Sequence, residues 1–126
     1  MVADTCMKTF DIALLEELTT KQDLALALDI SIRSIHSYDT IAKRNLPEYL
    51  EDYPTVRNKP ITRHPLTRFQ CWILGKIAWH LRLFSVGELT YFLAENYEFA
   101  VKFSKEEFKN LNKAQVTLYS HQNYES

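Results

Sequence analysis

Glycine is almost absent from this chain: Gly75 and Gly87 are its only two in 126 residues. A loop that cradles a phosphate, a dinucleotide-binding turn and a nucleophile elbow each need glycines close together, so all three are excluded. Cysteine is as scarce. Cys6 and Cys71 stand far apart, and neither falls at zinc-site spacing with His36, His64, His80 or His121. No metal is expected, and the thiols are read as reduced, with Cys71 packed in an apolar helix. No apolar run reaches the length of a membrane span, and Met1 to Cys6 lack the charged and apolar parts of a secretory signal. These absences point to a cytoplasmic protein with no membrane partner. The adjacent acids Glu16-Glu17 and Glu106-Glu107 diverge on helices, so no acid–base pair is assembled; no cofactor and no enzymatic activity are expected.

What the chain does contain is apolar and aromatic weight, 46% and 13% of its residues, enough for one compact domain or for a small head with a second helical subdomain. Its net charge of −1 is unevenly spread. No acid occurs between Asp52 and Glu88, whereas Arg57, Lys59, Arg63, Arg68, Lys76 and Arg82 all do. Such a window complements a polyanion if its members converge in space, and serves equally as a solubilising set around hydrophobic helices.

The most informative stretch is 20–44. Thr20 caps the free amides of a helix over 21–28, and Asp23 complements its dipole. Leu24 and Leu28 lie one turn apart, and Ala25 beside them is small enough for a second helix to cross closely. Asp29 is the turn residue, Ile30 plugs the core, and Ser31 caps a second helix over 32–44. In projection Ile35, Tyr38 and Ala42 share one side of that helix, with Ile32 at its margin. Arg33, His36, Ser37, Thr40 and Arg44 share the opposite side, flanked by Lys43, and this outward face carries no acid. It suits a major groove, since arginine binds guanine bidentately and hydroxyls reach bases or phosphates; a merely solvated amphipathic helix is the plain alternative.

This stretch resembles the helix-turn-helix of bacterial and phage repressors, with Ala25, Leu28, Ile30 and Ile35 at the small and hydrophobic positions of that motif and Asp29 where the family usually has glycine. The resemblance covers about twenty residues. It implies that 32–44 is a recognition helix, with Ser31, Arg33, Ser34, His36, Ser37, Thr40, Lys43 and Arg44 as DNA contacts.

A first helix over 9–18, bearing Phe10, Leu14, Leu15 and Leu18, would complete a three-helix head over 1–46. Residues 47–65 form a connector, since Pro47, Pro54, Pro60 and Pro65 forbid one continuous helix. Tyr49, Leu50 and Tyr53 can dock one turn of it on the head. Arg57, Lys59 and Arg63 then belong either to an exposed arm of a kind that holds phosphates beside a recognition helix in the resembled families, or to an inert linker.

A long helix over 66–84, with Pro65 in its first turn, carries an apolar stripe of Leu66, Phe69, Ile73, Ile77, Leu81 and Phe84, which Trp72, Trp79 and Leu83 widen sideways. One stripe buries within the protomer; the tryptophan flank needs later helices or a second copy, and a homodimer through Trp72, Trp79 and Leu83 is expected. Ser85 to Glu88 make a capping box for a helix burying Val86, Leu89, Phe92, Leu93 and Tyr97, and Ser104 to Glu107 repeat the signal for a short helix to about 112. Between them 97–103 alternates like a strand, and with 115–119 would form a two-stranded ribbon; otherwise this part, 66–126, is all helical.

The expected fold is therefore mainly α, a helix-turn-helix head packed on a C-terminal helical subdomain. The expected function is sequence-specific binding of double-stranded DNA by a small dimeric transcriptional regulator. The competing reading is a protein-interaction module, such as a phage or mobile-element accessory or inhibitor protein, that uses the Trp72/Trp79 surface.

Overall fold

The computed structural model describes residues 18–111. Strand β1 (Leu18–Thr19) leads into helices α1 (Lys21–Leu28), α2 (Ile32–Asn45) and α3 (Pro47–Glu51). A hairpin of β2 (Thr55–Val56) and β3 (Lys59–Pro60) follows, then β4 (Leu66–Thr67), α4 (Arg68–His80), α5 (Val86–Glu95) and α6 (Tyr97–Val101). Residues 105–111 form helix α7. The protein is thus mainly helical, with two short antiparallel pairings among the described residues: β1 with β4, in the register Leu18 to Thr67 and Thr19 to Leu66, and β2 with β3. No helix among the described residues is long and apolar enough to cross a membrane.

The helices begin where side chains can satisfy free amides. Thr20, Ser31 and Ser85 accept from Asp23, Ser34 and Glu88 amides, and Glu88 returns the bond to the Ser85 amide at 2.9 Å. Between α1 and α2 the chain turns on Asp29, whose φ of 58° and ψ of 47° are left-handed, and its amide closes α1 on the Ala25 and Leu26 carbonyls. Ile30 donates back to Ala25 at 3.0 Å and packs on the core. Ala25 is itself 4% exposed, consistent with a close helix crossing at that point.

Helix α2 is the hub, packing against α1, α3, α4 and α5. Its Ile35, Ile41 and Ala42 join Leu24, Tyr49, Leu66, Phe69, Ile73, Leu74, Ile77, Leu89, Leu93 and Phe103 in one buried cluster. Tyr38 lies at its edge and Ile32 is exposed.

Several expectations are corrected. The long helix starts at Arg68 rather than Leu66, because 66–67 pair with β1; Thr67 caps it, in a reciprocal box with Gln70, and Pro65 stands outside it. It ends at His80, with Leu81 to Phe84 in turns. Cys71 is buried as its apolar helix suggests, and with Leu74 and Gly75 also buried α4 is enclosed almost all round. Burial pushes the Cys71 thiol up to about 12, partly offset by a hydrogen bond with Thr19. Residues 97–101 are helical, capped by Asn96, which removes the strand reading there; 115–119 lie outside the described residues, as does the helix expected over 9–18 apart from Leu18, which is exposed in β1. Val86 and Tyr97, expected to be buried, each open a helix at a corner and point outward.

An aromatic cluster closes the other end. His80 stacks on Phe84 and meets Phe99 and Phe103 at 5.5 and 5.3 Å, while Phe92 joins Phe84 and Phe99. Its Nδ1–H donates to the Lys76 carbonyl at 2.7 Å. Burial holds the imidazole below its ordinary value of 6.5, and the charges of Lys76 and Lys102 act in the same direction. The unfolded chain therefore takes up a proton near pH 6.5 that the native state resists. Stability from this group is complete above that pH and is lost as pH falls toward the lower native value. Urea denaturation across pH 7.5 to 5 should show this loss, and His80→Phe should flatten it.

The left-handed turn makes a second measurable point. Asp29→Gly removes the Cβ from an unfavourable region and should stabilise the fold by up to ~1 kcal/mol, whereas Asp29→Val should destabilise it; thermal unfolding distinguishes the two.

Candidate nucleic-acid interface

On α2 the side chains divide into two sets. Arg33, His36, Ser37 and Arg44 are exposed, and their side chains make no hydrogen bond or ion pair with other described residues. Spacings of three, four and seven residues bring them along one side of the helix. Ser31 and Ser34 sit at its start, where their hydroxyls bond each other at 3.1 Å and the Ser31 oxygen caps the Ser34 amide. Thr40 spends its hydroxyl on the His36 carbonyl at 3.1 Å.

Asp39, the one acid within the helix, faces inward and is 3% exposed. The Tyr49 and Tyr53 hydroxyls both donate to its Oδ1 at 2.6 Å, and the Lys43 ammonium lies 3.2 Å from Oδ2. Burial, and then the Asp39 charge and hydrogen bond, push the Tyr49 hydroxyl well above the ordinary phenol range; Tyr53 is raised by burial and by its hydrogen bond to Asp39. Both phenols therefore remain donors at any physiological pH. Lys43, expected to hold a phosphate, is instead engaged by Asp39.

The connector carries the second cationic group. Tyr49 and Tyr53 dock on the head as the sequence suggests, both essentially fully buried. Beyond them β2 and β3 form an exposed hairpin whose two turn residues, Arg57 and Asn58, have φ of 55° and 67°. Positive φ at both central residues matches the right-handed twist of a tight hairpin, a conformation asparagine accepts readily and arginine does not. The Ile61 amide closes the hairpin base on the Pro54 carbonyl at 2.7 Å. Lys21, at the start of α1, donates to the Thr62 carbonyl at 2.6 Å with its ammonium 5.2 Å from the Tyr53 ring centre; burial lowers its pKa, against the pull of Asp39. One cation thus ties the hairpin base to the first helix. Arg57, Lys59 and Arg63 are exposed and make no side-chain bond to other described residues.

The expected pairing flank is largely used within the chain. Trp72 packs on Phe69 and on Phe108 of α7, at 6.0 and 5.2 Å between centroids, with the Lys76 ammonium 4.7 Å from its ring centre. Arg82 covers Trp79 at 4.8 Å, and Leu83 is exposed. Helix α7 is itself held by Lys105, whose amide donates to Glu48 at 3.0 Å and whose ammonium pairs with Asp52. An open cleft of about 450 Å³ lined by Leu18, Asp52, Thr67, Arg68 and Phe69 lies nearby, where Thr67 donates to Asp52 at 2.6 Å. Among the described residues no three His, Cys, Asp or Glu side chains are grouped to hold a metal ion.

Sequence reasoning missed Asp39, Tyr49, Tyr53 and Lys21 as one polar cluster. The available signal was a lone acid on an otherwise apolar helix side, followed by two tyrosines one turn apart in the connector.

Comparison with known proteins gives no match: no protein-family model, no curated protein and no solved structure.

The Asp39 cluster is directly testable. Tyr49→Phe removes one of three partners of a buried carboxylate and should cost ~1.5–3 kcal/mol in urea denaturation. Leu26→Ala, at an exposed position of α1, should cost far less.

Proposed function

We propose that this chain binds double-stranded DNA as a small transcriptional regulator, laying the outer side of α2 in the major groove. The observation that carries the reading is the separation of charge on that helix. Its single acid is buried, so the exposed side offers Arg33, His36, Ser37 and Arg44 with no carboxylate among them. A phosphate-lined groove repels exposed acids and rewards exposed cations, and arginine and histidine also carry the donors that read base edges. A tight turn of three residues between α1 and α2, 29–31, supports the same reading, as does an exposed basic hairpin suited to the backbone.

In this reading Arg33, His36 and Ser37 face bases, while Arg44, Arg57, Lys59 and Arg63 hold phosphates. Trp72 is taken up by Phe108, which leaves only Trp79 and Leu83 of the flank expected to join two copies. The reading therefore rests on the single chain and needs no dimer.

Selection from random duplexes at near-physiological salt should enrich a motif. Arg33→Ala should weaken binding to that motif by ~1–3 kcal/mol and relax preference at one position. Arg57→Gly should weaken selected and random duplexes alike and flatten the salt dependence, while raising the urea midpoint because it relieves a left-handed arginine. Equal losses on selected and random duplexes for Arg33→Ala would remove its base-reading role. Absence of both an enriched motif and a retarded duplex would overturn the DNA reading.

A further inference from the structure

Lys43 stands two helical turns after His36 on α2, about 20° from it in projection, and so borders the outward side of the helix. Its ammonium nevertheless turns inward to Asp39, and its side chain is 28% exposed. Both tyrosine hydroxyls serve Oδ1 at 2.6 Å, which leaves Oδ2 to the ammonium at 3.2 Å. What the pair accomplishes is to withdraw one cation from a face that otherwise presents only exposed ones.

We propose that Asp39 is a positioning residue that holds Lys43 off the DNA backbone and so limits sequence-independent affinity, an inference that rests on the DNA reading above. Every lysine that neutralises a phosphate adds to affinity for all sequences equally, and so raises overall affinity without changing the difference between selected and random duplexes. Restraining Lys43 lowers that common affinity while Arg33, His36 and Ser37 keep theirs. The connector supplies the restraint: Tyr49 and Tyr53 fix the carboxylate, and the carboxylate fixes the lysine.

The test is a double-mutant cycle on the full chain, read as the slope of log binding constant against log salt on a random duplex. Lys43→Gln alone should leave the slope unchanged, because Lys43 touches no phosphate. Asp39→Asn keeps an acceptor for the tyrosines and frees the ammonium, so the slope should steepen by ~0.9 and binding to selected and random duplexes should tighten alike. Asp39→Asn combined with Lys43→Gln should return to the wild-type slope, which separates release of the lysine from mere loss of a negative charge. Wild-type binding with no steepening in Asp39→Asn overturns this inference and leaves the DNA reading intact. A flattened slope in Lys43→Gln also overturns it, and does so even if Asp39→Asn fails to fold. No binding by the wild type or any variant overturns the DNA reading and this inference together.

Discussion

A carboxylate on the buried side of a helix loses its hydration and must recover it from neighbours, or the helix cannot pack there. Asp39 meets this constraint with two phenols and an ammonium, and the geometry that satisfies it arranges much of the molecule. Tyr49 and Tyr53 come from the connector, meet edge to face at 5.8 Å, and can reach one oxygen only if α3 folds back across α2. Gln70 then donates to the Tyr49 carbonyl at 3.0 Å while capping α4 through Thr67, so the same contact sets where the central helix begins. Lys21 adds the hairpin base through Thr62. The four segments are thus oriented by polar contacts of fixed direction, which hydrophobic burial alone would not specify.

Around this polar centre most of the apolar surface of α4 is consumed internally. Helix α4 is wide enough in its apolar coverage to demand partners on several sides, and it finds them: the core cluster, the β1–β4 pairing across its start, and α7 over Trp72. Lys76 lies between Trp72 and Phe103, its ammonium 4.7 and 4.9 Å from their ring centres. Burial lowers its pKa, with Glu107 opposing the shift. A cation over two aromatic faces keeps its charge at modest desolvation cost, which lets the aromatic packing extend to the protein edge.

Local signals in the sequence were transparent where the physics is local. Caps at Thr20, Ser31, Ser85 and Ser104 bond amides three residues on, and the helices they start are where the residue types put them. Distant pairing was opaque. Leu66 and Thr67 continue a helical apolar pattern, and only their pairing with 18–19 makes them a strand. The Thr55–Pro60 hairpin is two residues per strand and contains proline, too short for any periodicity to register. The inward Asp39 follows from tyrosines ten and fourteen residues away, and the covering of Trp72 follows from Phe108; neither partner can be assigned before the connections around it are known. The candidate binding side of α2 was readable from projection, whereas which of its cations are exposed was not.

The scarcity of glycine bears on the same face. Among the described residues three non-glycine positions have positive φ, Asp29, Arg57 and Asn58, and no glycine does. For stability alone glycine suits the first two better, since a Cβ crowds the carbonyl in left-handed backbone. Each of the two strained residues instead keeps a side chain at a connection bordering the cationic surface: Asp29 before α2, Arg57 at the tip of the exposed hairpin. Strain that persists in ordered backbone is compensated elsewhere in the fold, and here the compensation is the cap and crossing at Ala25 and the tether from Lys21 to the hairpin base. An arginine held in a conformation that disfavours it, exposed and with its side chain bonded to no described residue, adds no hydrogen bond or ion pair that glycine would lose. What the arginine adds beyond glycine is the positive charge at the tip, which is the physical argument for including the hairpin in the proposed DNA-binding surface.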